Sequence, residues 1–573
     1  MPPGSPAGEL RFGNATWKAA SLNAAFSVLL FPALLLGACS GGGGGGGSTD
    51  TGPGPVVATG DGSVRVSVQN PFSPNCAGAA TGTLYPNAEV EPYLAVNPAN
   101  SANFIAVWQQ DRWSNGSSQG VVTGVSMNSG QSWQIRTVPF SICAGGTAAN
   151  GGNFARATDP WVTFSPNGVA YQMALSSTGG TFTADSDNAM LVSRSTDGGL
   201  TWSTPAILVR DGAQAFNDKN AITADPTDAR FVYAVWDRLP AGGGGPAYLA
   251  RSTDGGLTWE PARSIFDPGV NSQTIGNLVV VLPNGTLVNL FTRIDGGPNN
   301  TQSASVAVIR STDHGATWSA PIRVADMLAR GARDPDTGTA IRDGAIIAQM
   351  AAGPNGELVA VWQDARFSSG ARDGIALSRS TDAGLTWSAP VRVNADAAVQ
   401  AFTPAVHVRA DGTIGVTYFD LRSNTADPAT LPTDYWLARS SDGVTWNESR
   451  VSGPFNLATA PIATGLFLGD YMALKSVGTT FLPLYVTTTA DLTNRNDVFI
   501  KMLNLLAGSA EAGAADKVLQ AEARLPTYLA PTAPPLKLTA ELRQQFHEAI
   551  VRAMERRIPG WGERMKRKVV PPG

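Results

Sequence analysis

The sequence is poor in the residues that carry much familiar chemistry. Its 573 residues include three histidines and three cysteines. His314 lies in a repeated turn motif, His407 in an apolar strand and His547 in a polar helical stretch near the end. Histidines so few and scattered exclude a histidine-rich zinc site and a Ser-His-Asp triad. Charged residues make up 15% of the chain, the formal net charge is −4 and no long basic run occurs. That balance excludes nucleic acid as a partner. No loop has the ligand spacing of a calcium site, so no cofactor or metal is expected, although carboxylates have the chemistry to hold Ca²⁺. The glycine run 41–47 follows no strand and reads as a linker, not a phosphate loop.

A membrane span is lacking as well. The stretch AAFSVLLFPALLLGAC is too short to cross comfortably. Arg11 and Lys18 precede it, and it ends in Leu36-Gly37-Ala38-Cys39. That ending resembles the lipobox of bacterial lipoproteins, which implies lipidation of Cys39; an ordinary cleaved signal peptide is the alternative. The expected layout is a signal segment over 1–39, a glycine-rich linker over 40–62, a folded domain over 63–507 and a helical, Pro-rich tail over 508–573. The product is expected outside the cytoplasm, at the bacterial cell envelope or surface, monomeric and touching membrane through a lipid anchor only. Cys76 and Cys143 then remain, either paired in an oxidising compartment or as two free thiols.

What the chain has in abundance is glycine (63), proline (39) and repetition. SRSTDGGLTW at 193–202 returns as ARSTDGGLTW at 250–259, IRSTDHGATW at 309–318 and SRSTDAGLTW at 378–387, with weaker copies at 126–133 and 439–446. From 193 on, the copies stand about 57 to 69 residues apart, a period of repeated supersecondary units. Ahead of each copy come two apolar runs around a hairpin turn, such as DPWVTFSPNGVAYQMAL at 159–175. A third strand leads into the motif and a fourth follows its Trp. Four antiparallel strands repeated radially make a β-propeller, an all-β fold. Counting hairpins gives seven blades, with six as the alternative. The last blade lacks a fourth strand, which SVRVSVQ at 63–69 is placed to supply, hiding an open edge. Thr539 and Pro559 bracket a helix in the tail.

In Ser-x-Asp-x-Gly-x-Thr-Trp, Asp and Ser bond nearby amides, Gly takes positive φ and Trp packs as an apolar plate. These are structural tasks. The motif resembles the Asp box, or BNR repeat, of the sialidase (neuraminidase) superfamily, over roughly 63–507. The resemblance implies a propeller whose site lies on the face opposite the boxes. It also implies a glycoside hydrolase of exo-α-sialidase type acting on terminal acidic sugars, with a glycan as partner. A non-catalytic propeller binding glycan or protein is the alternative, because fold does not fix function. On the opposite face the strand ends carry Glu91, Asp111, Asp159, Asp218, Arg342, Arg366, Arg422, Asp470 and Tyr471. By position and type, Tyr471 is the candidate nucleophile, Glu91 its partner, and Asp111 or Asp159 the acid. Arg342, Arg366 and Arg422 are candidates for an arginine trio that forks onto a substrate carboxylate, with Asp218 and Asp470 beside them. The chain departs from the family at VEPYLAV, where Glu91 stands in place of an expected Arg.

Overall fold

The computed structural model describes residues 59–74, 76–78, 81–297, 300–504, 528–529 and 536–566. Cys39, the glycine run and the start of the helical, Pro-rich tail lie outside the described residues. Those described are nearly all β. Four-stranded antiparallel groups follow one another along the chain. The first is Leu84–Val96, Phe104–Trp113, Ser118–Ser126 and Gln134–Thr137, and the second Arg156–Phe164, Ala170–Thr178, Asp187–Ser195 and Ala206–Asp211. Groups of the same order begin at Ala215, Ser272, Gln349 and Ala401. The last comprises Ala473–Val477, Thr480–Thr488 and Asn496–Ile500, and its fourth strand is Val64–Arg65, with Val64 opposite Ile500. Among the described residues no hydrogen-bonded sheet closes on itself; instead, the first strands of successive groups pack against one another in order, and that of the last group packs on that of the first. The result is propeller-like. The strands bury a large apolar core that includes Trp108, Trp236 and Trp362, which are 0% exposed.

The repeated motif builds a closed turn, as the copy at 195–202 shows. Ser195 Oγ donates to Asp197 Oδ1 at 2.8 Å and accepts the Gly199 amide at 2.9 Å. Asp197 takes the Thr201 amide at 3.0 Å and the Thr201 hydroxyl at 2.5 Å, and Trp202 Nε1 closes on the Gly199 carbonyl at 2.9 Å. The set recurs at 311–318 and 380–387. Between neighbours the link is the arginine ahead of the Ser. Arg194 donates to Gly255 O at 3.0 Å, Arg251 to His314 O at 2.8 Å, Arg310 to Ala383 O at 2.6 Å, and Arg379 to Asp442 O. Each box is thus tied to the next by a guanidinium. The hairpin between strands one and two sits at the same end: the Gly255 amide donates to Arg230 O at 2.8 Å.

Cys76 and Cys143 form a disulfide across a sequence separation of 67. Closing a loop of that length removes about 4 kcal/mol of chain entropy from the unfolded state. Reduction is therefore expected to destabilise the domain by about 4 kcal/mol, read as a lower urea midpoint at constant slope. An unchanged midpoint in reductant would show the loop to be held by packing alone.

The tail forms helix α1, Ala540–Glu555, with Thr539 Oγ1 accepting the Leu542 amide at 3.2 Å as N-cap. A short helix α2, Trp561–Lys566, follows Pro559 and Gly560. Met554, Ile558 and Trp561 are buried in the same cluster as Ile275, Met327 and Ile346. Such side chains contribute about 1.5–3 kcal/mol each when buried, so the tail is firmly seated. No helix among the described residues is long and apolar enough to cross a membrane.

Candidate active site

The site begins with a distortion repeated in the innermost strands. In five groups the pairing of strands one and two slips at one place: between Val90 and Tyr93, Thr158 and Trp161, Asp218 and Ala221, Ile275 and Leu278, and Phe402 and Ala405. At each slip one residue takes left-handed backbone: Glu91 (φ 53°), Asp159 (51°), Lys219 (45°), Gly276 (70°) and Thr403 (51°). For the residues that are not glycine this costs on the order of 1–3 kcal/mol each. Pro92, Pro160 and Pro404, each following such a residue, fix the next φ. Such bulges re-aim a side chain, and here they bring acids and a lysine from different groups together.

Lys219 is the hub. Its Nζ lies 3.1 Å from Glu91 Oε1, 2.9 Å from Asp159 Oδ1 and 3.0 Å from Asp470 Oδ2, and it is 4% exposed. Arg342 forks onto Asp470, with Nε 3.2 Å from Oδ1 and Nη2 2.8 Å from Oδ2. Gln109 Nε2 donates to Glu91, and Arg112 Nη1 donates to Gln109 Oε1 at 2.5 Å. Arg112 and Arg342 both stack on Phe467, at 4.8 and 4.4 Å from its centroid. From the tail, Arg557 enters with Nη2 3.1 Å from Asp218 Oδ2 and Nη1 3.0 Å from Asp470 Oδ2. Asp237, opposite Asp218 in the strand pair, has one oxygen without a partner.

Proton affinities diverge sharply within this cluster. Burial, with Asp159 and Asp470 nearby, pushes Glu91 up to about 8 despite Lys219. Burial pushes Asp159 up too, but Lys219 and Arg557 outweigh it and hold the group below the usual carboxylate range; Glu91 is its hydrogen-bond partner. Asp470, although buried, is held low by Arg342, Lys219 and Arg557. Lys219 is driven up by the carboxylates against its burial. The pair Glu91 and Asp159 is therefore one protonated acid beside one ionised base near neutrality.

Of the expected residues, Glu91, Asp159, Asp218, Arg342 and Asp470 share this network. Tyr471 lies beside it, 5.3 Å from Lys219 Nζ to its ring centroid. Its hydroxyl donates to Pro160 O at 3.2 Å, and burial together with Glu91, Asp159 and Asp470 pushes the phenol well above its ordinary value. A tyrosine so placed is not an activated nucleophile. The expected arginine trio is not assembled. Arg366 forks onto Asp364 of its own group, both bonds 2.8 Å, and Arg422 is bound to Asp420 at 2.6 Å and Glu448 at 3.0 Å. Asp111 is likewise structural: its oxygens accept Asn87 N at 2.7 Å, Asn70 Nδ2 at 2.8 Å and Gln119 Nε2 at 2.7 Å. A different cationic cradle does form, from Lys219, Arg342 and Arg557, and the chain's own Asp470 fills it.

Sequence reasoning passed over Lys219 as the hub, although the left-handed residue recurs just before an apolar strand in VEPYL, TDPWV, NDKNA and FTPAV. Nothing in the sequence marks Arg557, more than 300 residues from Asp218, as a neighbour. The space left among Arg342, Gly344, Asp470 and Arg557 is about 10 Å³, room for about one water. Two larger hollows, about 370 and 470 Å³, are lined by none of the network residues.

Comparison with known proteins adds the following. No curated protein matches the chain. Among solved structures it is similar to a Hadza microbial sialidase, at 19% identity over 61% of this chain and 66% of that one, TM-score 0.38. The chain thus spans 66% of that sialidase's length. It is also similar to a Penicillium chrysogenum alpha-L-arabinanase complexed with arabinobiose (15% identity, 61% and 94% covered, TM-score 0.37) and to the GH93 alpha-L-arabinofuranosidase of Fusarium graminearum (13%, 61% and 92%, 0.39). Residues 246–346 match the family model described as a BNR repeat-like domain. The boxes at 250–259 and 309–318 lie inside that match, so this part of the chain carries a BNR-type repeat.

Proposed function

We propose that this protein is a glycoside hydrolase acting on a glycan, with Glu91 as proton donor and Asp159 as its ionised partner. One observation carries the reading: two buried carboxyls bonded to one lysine have proton affinities pushed in opposite directions. Glycoside hydrolysis uses such a pair, one acid protonated and one ionised. The strained backbone at both residues supports a functional placement. In the same proposal the antiparallel groups are seven blades, supported by Val64–Arg65 completing the last of them. Export is also part of it, with anchoring through Cys39, and the Cys76–Cys143 disulfide supports an oxidising compartment.

Exo-α-sialidase action on terminal acidic sugars is the finer form of this reading. It needs a free cationic cradle for the sugar carboxylate, and here Asp470 occupies the cradle. A neutral glycan suits the carboxylate-rich site better. The alternative, a non-catalytic propeller that binds glycan or protein, draws support from the closure of the site by the tail. The test is release of fluorophore from a panel of neutral glycosides and a sialoside. Glu91→Gln is expected to lower the rate on the accepted substrate about 10²–10⁴-fold. No release from any substrate would favour the binding reading, and equal rates in Glu91→Gln would remove Glu91 as the proton donor.

A further inference from the structure

Arg557 is a peculiar occupant. It reaches from the tail into a buried acidic setting, bridging Asp218 and Asp470, and is 5% exposed. Among the described residues Asp218 has no other salt-bridge partner, whereas Asp470 also has Lys219 and Arg342. The fit is incomplete on both sides. Asp237 is 0% exposed, faces Asp218 and Arg557, and leaves Oδ2 unpartnered, while Arg557 itself leaves Nε unpartnered. A buried acceptor and a buried donor left without partners in one cluster are each costly. A guanidinium suits this arrangement: its planar, fixed fork places Nη1 on Asp470 and Nη2 on Asp218 at once.

We propose that Asp218, Asp237 and Asp470 frame a guanidinium-binding site that Arg557 fills in cis, and that the ligand it takes in trans is an arginine side chain of a polypeptide. The tail then acts as a tethered pseudo-ligand. Around Arg557 the tail is held by neighbouring anchors: Trp561 Nε1 donates to Gln273 Oε1 at 2.6 Å, Arg564 Nη1 to Pro240 O at 2.7 Å, and Arg330 Nη1 to Gln545 Oε1 at 2.9 Å. While these hold, the effective concentration of Arg557 at the site is high, and an arginine arriving from outside is excluded. Loosening the anchors frees the same site for a partner. The proposal goes beyond the hydrolase reading and does not need it: the site binds whether or not anything is cleaved.

The test uses the full chain and a labelled peptide of the sequence 552–562, followed by fluorescence anisotropy. Wild type is expected to bind it weakly, because the cis arginine competes. Full-length Arg557→Ala/Trp561→Ala is expected to bind it at least about 10-fold more tightly. Replacing by Ala the peptide arginine that corresponds to Arg557 should weaken that binding about 100-fold, as should Asp218→Asn in the protein. Should the double variant fail to fold, Arg557→Lys keeps the charge but lacks the two-pronged fork that holds Asp218 and Asp470, and the same order of affinities is expected. Equal binding of the arginine and alanine peptides, or no binding by any loosened variant that melts as cooperatively as wild type, would overturn the proposal. Because the readout is binding, failure of glycoside cleavage leaves it untouched.

Discussion

Replacing Lys219 by methionine is expected to cost the folded domain about 3–5 kcal/mol, read as a lower urea midpoint at pH 7 with unchanged slope. The side chains are of similar length, so packing changes little; the loss is electrostatic. Lys219 bonds Glu91, Asp159 and Asp470 at once, all of them buried. These three do not suffer equally. Glu91 holds its proton at neutrality, and Asp470 keeps Arg342 and Arg557. Asp159 is left as a buried anion whose remaining side-chain donors are Thr158 at 3.3 Å and the proton of Glu91. Adding Asp159→Asn to Lys219→Met should therefore restore most of the loss, whereas adding Asp470→Asn should not. Such non-additivity is what a shared network produces. A single Lys219→Met within about 1 kcal/mol of wild type would show that water enters the cluster and screens it.

The second large effect is on pH. Glu91 titrates near 8 in the folded chain, against 4.5 in a free side chain, because burial disfavours its anion. The folded state keeps this proton over a range where the unfolded state has released it. The contribution to stability is therefore fully present below about pH 4.5 and is lost as pH rises through 8. Asp373, raised to about 7 by burial and Asp343, acts in the same direction. The unfolding free energy from denaturant melts should fall between pH 5 and pH 9 by a few kcal/mol, and Glu91→Gln should remove the Glu91 share of that fall, leaving the share of Asp373. Equal slopes in the two proteins would refute the assignment. On the acid side the sign reverses. His407, lowered to about 3 by burial with Lys475 and Arg409 nearby, adds stability that is lost as pH falls below 6.5. The box aspartates Asp254, Asp313 and Asp382, each held at about 2 by a threonine hydroxyl and amide, lose theirs below that. With these groups the balance turns at about pH 4, where the gains of the box aspartates are complete and the losses of Asp373 and Glu91 begin.

Much of the architecture was legible in the sequence because the boxes and hairpins are local. The turn at 195–202 is closed by residues within a few positions of one another, so its chemistry can be read from a ten-residue string. The role of Val64–Arg65 followed from a missing strand at the other end of the chain. The candidate site was half legible. Glu91, Asp159, Asp218, Arg342 and Asp470 were found by asking which strand ends face away from the boxes. Arg366 and Arg422 satisfied the same criterion, yet each is claimed by an aspartate two residues away. A side chain with a carboxylate at i−2 on its own strand end pairs locally before it can reach the centre. Strand position alone does not reveal that competition.

The sequence by itself determined the repeat, its turn chemistry, the all-β class and the end of the strands at which charge gathers, because each rests on residues close along the chain. Only the tertiary structure decided that Lys219 joins three carboxylates from three repeats, that Asp470 fills the cationic cradle, and that Arg557 closes the site from the tail. Those contacts join positions more than 100 residues apart in most cases, and they form where bulged strands converge. Which opposite charges meet there is set by how the strands pack in three dimensions, not by their order in the chain.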